Sequence, residues 1–298
     1  MIRNLICACL VILQASIAYA RDDTAKCFLW EARSASATVY LMGSIHMMRE
    51  DLYPLNRCYD EAFAKADTVV VELNLLAIDP NEMGQRMLTL GMFPQGETLA
   101  DHLTPTTLKR LQEYLQTAGI PYDKVATLRP WFLGLTLTLQ EAARHGYRSD
   151  IGVDVMYLNK AQGKKEILQL ESLDSQLAAL SGDSPMEQEL MLAASLEDLP
   201  RLKQYMGEMV ALWQRGDADG LYEMVVEPLR RYPSLGQSYR RLFDERNHAM
   251  SKKIEGYLKQ KKTYLVIVGG GHMGGKDGLV KLLQAKGYAV RQVEYQRK

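Results

Sequence analysis

The chain has 298 residues, of which 47% are hydrophobic and 24% are charged, so it can bury a core of ordinary size and intrinsic disorder is excluded. Its 36 Lys and Arg residues balance its 36 Asp and Glu residues. The basic run at 259–262 is typical of a solvated helix end, and we therefore expect no nucleic-acid partner.

Residues 1–20 have the pattern of a secretory signal peptide. Arg3 precedes an apolar stretch from Leu5 to Leu13, and Ala18-Tyr19-Ala20 is a small-x-small cleavage site. We therefore expect cleavage near Ala20 and an exported protein, either periplasmic or secreted. No later stretch stays apolar for the roughly 20 residues that a membrane helix needs, and no lipidation cysteine ends the apolar stretch, so we expect no stable membrane anchor.

Two cysteines, Cys27 and Cys58, remain once this segment is removed. An oxidising compartment allows them to pair, and the resulting loop closure contributes roughly 3–4 kcal/mol of stability in the chain-entropy description. Two free thiols are the alternative. No Cys-x-x-Cys pattern indicates zinc or redox chemistry.

The first part of the mature chain predicts strands around one helix. Residues 28–32 and 38–42 are β-rich runs joined by a short polar segment, which is typical of a hairpin. Residues 56–65 have helical spacing. Residues 68–73 form a β-branched run, which is typical of a strand that is buried on both faces.

From Pro80 to Tyr257 the pattern is mostly helical. Thr104-Pro105 and Ser184-Pro185 are helix start signals, because in each pair a capping residue precedes a proline at the first helical position. One predicted strand, 166–170, interrupts this region. The chain then returns to a strand at 264–268, a glycine turn, a helix from about 276 to 286, and a strand at 288–293.

These elements predict an α/β fold whose sheet core is built from both chain ends, with residues 80–257 as a large helical insertion. No internal repeat or flexible linker separates independent domains, so we expect residues 21–298 to form a single domain. The insertion is expected to form a wall or lid over a site at the edge of the sheet.

Two glycine turns carry histidines. Gly43-Ser44-Ile45-His46 and Gly269-Gly270-Gly271-His272 each follow a predicted strand. Glu72 ends a third strand, in a run so apolar that an unpaired carboxylate there would be unfavourable. Because open α/β sheets place their sites at the carboxyl edge of the strands, we expect the two imidazoles and the carboxylate to converge. The histidines without this context are expected to be structural: His102, His145 and His248.

Two kinds of chemistry suit this set of residues. Two His and one Glu can hold a divalent metal with open positions for water, which lowers the pKa of the water towards 7 and polarises a carbonyl. Alternatively, one His acts as a metal-free general base while Glu72 fixes its tautomer. The residue pattern alone does not separate these alternatives.

The glycines near the end of the chain also match a dinucleotide-binding fingerprint, Gly269-x-Gly271-x-x-Gly274, with Glu294 about twenty residues further on. A Rossmann domain needs more strands after that unit than the remaining residues provide. An exported protein also meets little NAD. We therefore expect no nucleotide cofactor, and we attribute the glycines to the turn around His272.

Taken together, the motifs resemble a known family. The segments Tyr40–His46, Val70–Leu73 and Val268–Met273 are similar to the TraB/PrgY/GumN family, to which the Tiki proteases are related. The further matches to GumN-like bacterial members are Arg129-Pro130-Trp131, Gly152-Val153-Asp154, Leu170-Glu171-Ser172 and Glu245-Arg246-Asn247. The resemblance spans almost the whole mature chain.

This resemblance implies an α/β fold like that of the erythromycin esterases and of a haem-binding lipoprotein, which we term EreA/ChaN-like. Its Tiki branch implies metal-dependent peptide hydrolysis. Carried over to this sequence, His46, Glu72 and His272 are the catalytic residues and the ligands of a divalent metal, Mn²⁺, Co²⁺ or Zn²⁺.

The resemblance also implies a catalytic role for Arg246, as a donor to a developing oxyanion or to a substrate carboxylate. A surface arginine paired with Glu245 or Asp244 is the alternative, and Asn247 carries the same two alternatives.

One departure from the family concerns charge. Relatives carry Glu-x-Asp where this chain has Glu72-Leu73-Asn74, and Asn brings no charge to a metal site. Asp154 and Glu171 are candidate replacements for that carboxylate. Structural roles, as a helix cap and a strand-edge residue, are favoured for both.

The sequence therefore predicts an exported hydrolase, a metal-dependent peptidase that acts on a peptide or amide. Metal-free hydrolysis of a small ester or amide by His and Glu is the second hypothesis. A non-enzymatic haem-binding or metal-binding protein is the third.

Overall fold

The computed structural model describes residues 24–296, so the predicted signal peptide lies outside the described residues. Strands β1 (Thr24–Arg33) and β2 (Thr38–Ser44) pair antiparallel and confirm the predicted hairpin. Helix α1 (Arg57–Lys65) follows, capped by the side chain of Asn56. Strand β3 (Thr68–Val71) ends two residues earlier than predicted, because the backbone bends immediately after it.

Between β3 and the last strands the chain is helical except for β4 (Glu166–Gln169), as predicted. Both Thr104 and Ser184 cap helices, each accepting a hydrogen bond from the backbone three residues on. The helices are α2 (Pro80–Gly91), α3 (Leu99–His102), α4 (Pro105–Ala118), α5 (Pro130–Arg144), α6 (Val153–Ala161), α7 (Leu173–Ser181), α8 (Pro185–Asp198), α9 (Leu202–Gln214), α10 (Ala218–Val226), α11 (Pro228–Arg231), α12 (Gly236–Tyr239) and α13 (Glu245–Leu258).

The last elements are β5 (Thr263–Gly269), α14 (Leu279–Ala285) and β6 (Ala289–Gln296). Helix α14 begins three residues later than predicted. The physical reason is a turn at Gly275, which has a φ of 79° and so interrupts helical geometry before Gly278 caps the helix.

Six strands of the described chain form one mixed sheet in the order β4-β3-β5-β2-β1-β6. Strand β5 lies between β2 and β3 and is parallel to both, with Ser44 opposite Gly269 and Val71 opposite Ile267. The sheet and its many helices confirm the α/β class. Because β2, β3 and β5 run in the same direction, their carboxyl ends meet at one edge of the sheet.

The end of β2 is fixed by aromatic side chains. Trp213 donates a hydrogen bond from Nε1 to the carbonyl oxygen of Gly43 at 2.7 Å, and its ring stacks on Tyr59 with centroids 5.1 Å apart. Tyr59 in turn accepts a hydrogen bond from the backbone of Phe28 at 3.0 Å. These buried contacts hold the first glycine turn in a defined position.

Cys27 of β1 and Cys58 of α1 are joined by a disulfide bond, with their Cα atoms 6.9 Å apart. The bond ties the first strand to the first helix. Among the helices between residues 24 and 296, none is both long and apolar enough to cross a bilayer.

Candidate active site

His46, Glu72 and His272 lie together just beyond the ends of β2, β3 and β5. The His272 Nε2 atom is 3.8 Å from Glu72 Oε1. A Cβ atom built on Gly269 would lie 2.8 Å from His46 Nε2, 3.4 Å from Glu72 Oε1 and 3.6 Å from His272 Cδ2. The three side chains therefore face a common point beside Gly269, and the missing side chain of this glycine leaves that point open.

His46 is oriented by the N-terminal turn of α6. Its Nδ1 atom lies 3.0 Å from Asp154 Oδ2, and Ser44 donates a hydrogen bond to Asp154 Oδ1 at 2.7 Å. Gly152 makes this contact feasible, because any Cβ atom there would overlap the His46 carbonyl group. Since Asp154 accepts at Nδ1, Nε2 is the nitrogen of His46 that faces the common point.

The charge of Asp154 raises the pKa of His46 to about 9, with Glu72 adding to the effect and partial burial opposing it. The His46 ring lies in a pocket but keeps 56% of its side-chain surface accessible. The raised pKa shows that the surroundings of the His46 ring, above all Asp154, favour its cationic form.

His272 is buried, with an exposure of 3%, and its Nδ1 atom lies 2.7 Å from Asn247 Oδ1. Burial lowers the pKa of His272 to about 4; the neighbouring Arg246 guanidinium also lowers it, while Glu72 opposes the shift. His272 is therefore neutral near pH 7. Because Asn247 accepts the Nδ1 proton, the Nε2 lone pair of His272 faces Glu72.

Glu72 is buried and fully hydrogen-bonded. Oε1 accepts from the Gly269 backbone N–H, and Oε2 accepts from Arg246 Nη2 at 2.7 Å and from Gln176 Nε2 at 3.2 Å. Burial alone would raise the pKa of Glu72, but the nearby His272, His46 and Arg246 and the Gly269 N–H outweigh it, so the pKa is lowered. Glu72 is thus an oriented carboxylate.

Arg246 does not lie on the surface, and it does not pair with Glu245 or Asp244 as the alternative had it. It donates from Nε and Nη2 to both oxygens of Glu171, at 2.8 and 2.6 Å, and from Nη2 to Glu72. Nη1 donates to the Leu242 carbonyl oxygen at 3.0 Å. With its donors turned to protein acceptors, Arg246 holds Glu72 in place.

The structure brings into the site residues for which the sequence favoured structural roles. Asp154 supports His46 and Glu171 supports Arg246, and both belong to the segments that carry the family resemblance. Gln176, on α7, carried no signal in the sequence. Asn74 instead caps the short helical turn at 75–77 by accepting from the Leu76 backbone at 3.2 Å. The histidines predicted to be structural lie outside this group and contact other residues: His102, His145 and His248.

The donor chemistry fits a divalent cation. The Nδ1 atoms of both histidines are held by Asp154 and Asn247, which is the support that metal-binding histidines usually have, and a cation at His46 would have to displace the Nε2 proton. Between residues 24 and 296, no three His, Cys, Asp or Glu side chains are already grouped as a metal site requires. Ligation would therefore need His46, Glu72 and His272 to draw closer together.

Residues 28–292 match the TraB/PrgY/gumN family, and the chain belongs to this family. The uncharacterized protein YbaP of Escherichia coli K12 is 25% identical over 246 residues, which cover 82% of this chain and 87% of YbaP. An uncharacterized protein of Treponema pallidum is 24% identical over 268 residues, covering 86% of this chain and 80% of the relative. Comparison with solved structures gave no significant match.

Proposed function

We propose that this chain is a hydrolase of peptide or amide bonds and that His46, Glu72 and His272 hold a divalent cation, Mn²⁺, Co²⁺ or Zn²⁺. The observation that carries the proposal is the charge of the site. Glu72 and Glu171 share the Arg246 guanidinium, and the third carboxylate, that of Asp154, holds His46 at Nδ1. Even with His46 protonated, these three carboxylates outnumber the two positive side chains, His46 and Arg246, and a divalent cation that displaces the His46 proton would balance the negative charge.

Each residue of the site has a defined task in this proposal. Asp154 and Asn247 hold the two imidazoles at Nδ1, so that Nε2 of each ring would be the atom that binds the cation, which at His46 would take the place of a proton. Arg246 keeps the Glu72 carboxylate turned to the same space. When bound there, a divalent cation supplies a polarised substrate carbonyl and a water of lowered pKa.

We also propose that the protein is exported, periplasmic or secreted, as its first 20 residues predict. The pairing of Cys27 with Cys58 supports an oxidising compartment. The likeness to the EreA/ChaN-like folds stays a prediction.

Metal-free hydrolysis of an ester or amide is the second candidate. It is favoured by the His46–Asp154 pair, which resembles the base and orienting carboxylate of general acid–base catalysis. In that mechanism the neutral form of His46 would take a proton from water at Nε2, and its pKa of about 9 places that form at alkaline pH. The two candidates differ in whether the site needs a metal.

Metal analysis of the purified protein, residues 21–298, tests the proposal. After incubation with Mn²⁺, Co²⁺ or Zn²⁺ and removal of free ion, we expect about one equivalent of metal in the wild type and none in the His46→Ala/His272→Ala variant. A His102→Ala/His248→Ala variant removes two histidines outside the site and should retain the metal. Circular dichroism must show the same fold in all three proteins.

Absence of metal from the wild type after all three incubations would refute the metal-dependent mechanism. Hydrolysis of esters or amides by such metal-free protein, lost in His46→Ala, would then support the second candidate.

A further inference from the structure

The candidate site lies in a pocket of about 560 Å³. Its lining includes the polar residues His46, Glu72, Asp154, Gln176 and Arg246. The rest of the lining is dominated by aliphatic side chains from β3, the segment after it, α6, α7 and β5: Val71, Leu73, Leu75, Val155, Leu158, Leu180 and Ile267.

Two of these leucines are open to solvent, although leucine gains stability from burial. Leu75 is 45% exposed and Leu180 is 36% exposed. Leu180 is four residues after Gln176 on α7 and so lies on the same helix face. Gln176 donates a hydrogen bond to Glu72, and one helical turn further along the same face of α7 the surface becomes apolar at Leu180.

The polar residues of the pocket provide few free hydrogen-bond donors for an acidic side chain of a substrate. Arg246 is the one fixed positive charge among the described residues that line the pocket, and its donors are turned to Glu171, Glu72 and the Leu242 carbonyl. Asp150 and Asp154 add negative charge. An acidic group would be repelled, whereas an apolar group would cover Leu75 and Leu180.

We infer that the substrate is a peptide or amide with an apolar side chain next to the bond that is cleaved, and that Leu75 and Leu180 select it. This inference rests on the proposed function. The occupant of the apolar wall is the side chain of the substrate, since the wall is continuous with the site that would cleave it.

Two neutral probes of similar shape, N-acetyl-leucinamide and N-acetyl-asparaginamide, measure this selection without any cleavage. In NMR titrations of the protein, we expect the leucine amide to bind at least about 10-fold more tightly than the asparagine amide. Leu180→Asp should remove this preference, and Leu75→Ser should weaken it. Leu88→Asp is the matched control, because Leu88 is 52% exposed and is not part of the pocket wall.

Equal affinities for the two probes in the wild type, or a preference that persists in Leu180→Asp, would overturn the inference. Cleavage of a mixed peptide library in the presence of Mn²⁺, Co²⁺ or Zn²⁺, read by mass spectrometry, tests the hydrolase separately. If the protein binds the leucine amide preferentially but cleaves no peptide, the hydrolase proposal is refuted and the role of Leu75 and Leu180 in binding is still supported. If the protein cleaves peptides with no preference for apolar residues, the role of Leu75 and Leu180 in selection is refuted and the hydrolase proposal is still supported.

Discussion

His46 and Asp154 are 108 residues apart in the chain, and their side chains meet with Nδ1 and Oδ2 at 3.0 Å. Asp154 is itself held by Ser44, which donates to its other oxygen and accepts a hydrogen bond from its backbone N–H at 3.1 Å. The acceptor is thus fixed by the same turn that carries His46. This arrangement determines both the orientation and the proton affinity of the imidazole.

Asp154→Asn removes the charge and keeps the shape. In metal-free protein we expect the pKa of His46 to fall from about 9 towards its ordinary value of 6.5, as measured by NMR titration of the imidazole. Asp150→Asn is the control, because Asp150 lines the same pocket but is exposed and pairs with Arg148. A His46 titration midpoint that is the same in Asp154→Asn and the wild type would contradict the assignment.

The same pair gives a pH dependence of stability. Because folding raises the pKa of His46, its contribution is complete below about pH 6.5 and is lost as the pH rises through 9. The ring is 56% accessible, so solvent screening keeps this contribution below about 1 kcal/mol. The difference in unfolding free energy between wild type and Asp154→Asn should therefore shrink between pH 6.5 and 9.

Arg246→Met leaves two buried carboxylates, Glu72 and Glu171, without their cation. We expect a loss of about 3 kcal/mol in unfolding free energy, measured by urea denaturation. Adding Glu171→Gln to this variant should recover part of the loss, because it removes one unpaired charge. Arg201→Met is the control and should change the stability by less than about 1 kcal/mol, since Arg201 is in a surface pair. A loss no larger than that of Arg201→Met would show that Arg246 is not needed to hold Glu72.

Gly269→Ala places a methyl group at the point that the histidines and Glu72 face. The backbone tolerates alanine, with φ at −52° and ψ at 138°, so we expect little change in unfolding free energy. The methyl group would displace His46 Nε2, which lies 2.8 Å from its position. Metal affinity measured by calorimetry should fall at least about 10-fold, as it does when the support of a ligand is disturbed.

Gly256→Ala serves as the control for this experiment. Gly256 lies in α13, and no atom lies within 4 Å of the position that a Cβ atom would take, so the substitution should stabilise the helix by about 0.5–1 kcal/mol and leave metal affinity unchanged. Unchanged metal affinity in Gly269→Ala would rule out the space beside Gly269 as the cation position.

Cys27→Ala/Cys58→Ala opens a loop that spans 31 residues. We expect a loss of about 3–4 kcal/mol in unfolding free energy from the added freedom of the unfolded chain. Thermal unfolding with and without reductant measures it. The reductant should lower the melting temperature of the wild type and have no effect on the variant, whereas a wild type that is insensitive to it would indicate that the bond contributes little.

The sequence predicted most elements because their signals are local. The β-branched runs and the Thr104 and Ser184 caps determine strands and helix starts within a few residues. The α/β fold class, and the expectation that the ends of three strands meet at one edge of the sheet, followed from the same local patterns. The position of β5 between β2 and β3 did not, since strand order depends on contacts between distant segments.

The contacts that hold the site residues in place could not be predicted from local sequence patterns either. Whether Arg246 lies at the surface or inside depends on Glu171, which is 75 residues away in the chain. Gln176 reaches Glu72 only because α7 follows the edge strand β4. Single residues of ordinary type acquire such roles through tertiary contacts.

The central position of β5 also affects how the protein is made. A growing chain delivers β2 and β3 early and leaves the place between them vacant until residues 263–269 have been synthesised. His272 follows directly behind that strand. A polypeptide that has not reached this point lacks both the middle of its sheet and one imidazole, so the group of His46, Glu72 and His272 cannot assemble before residue 272 has been synthesised.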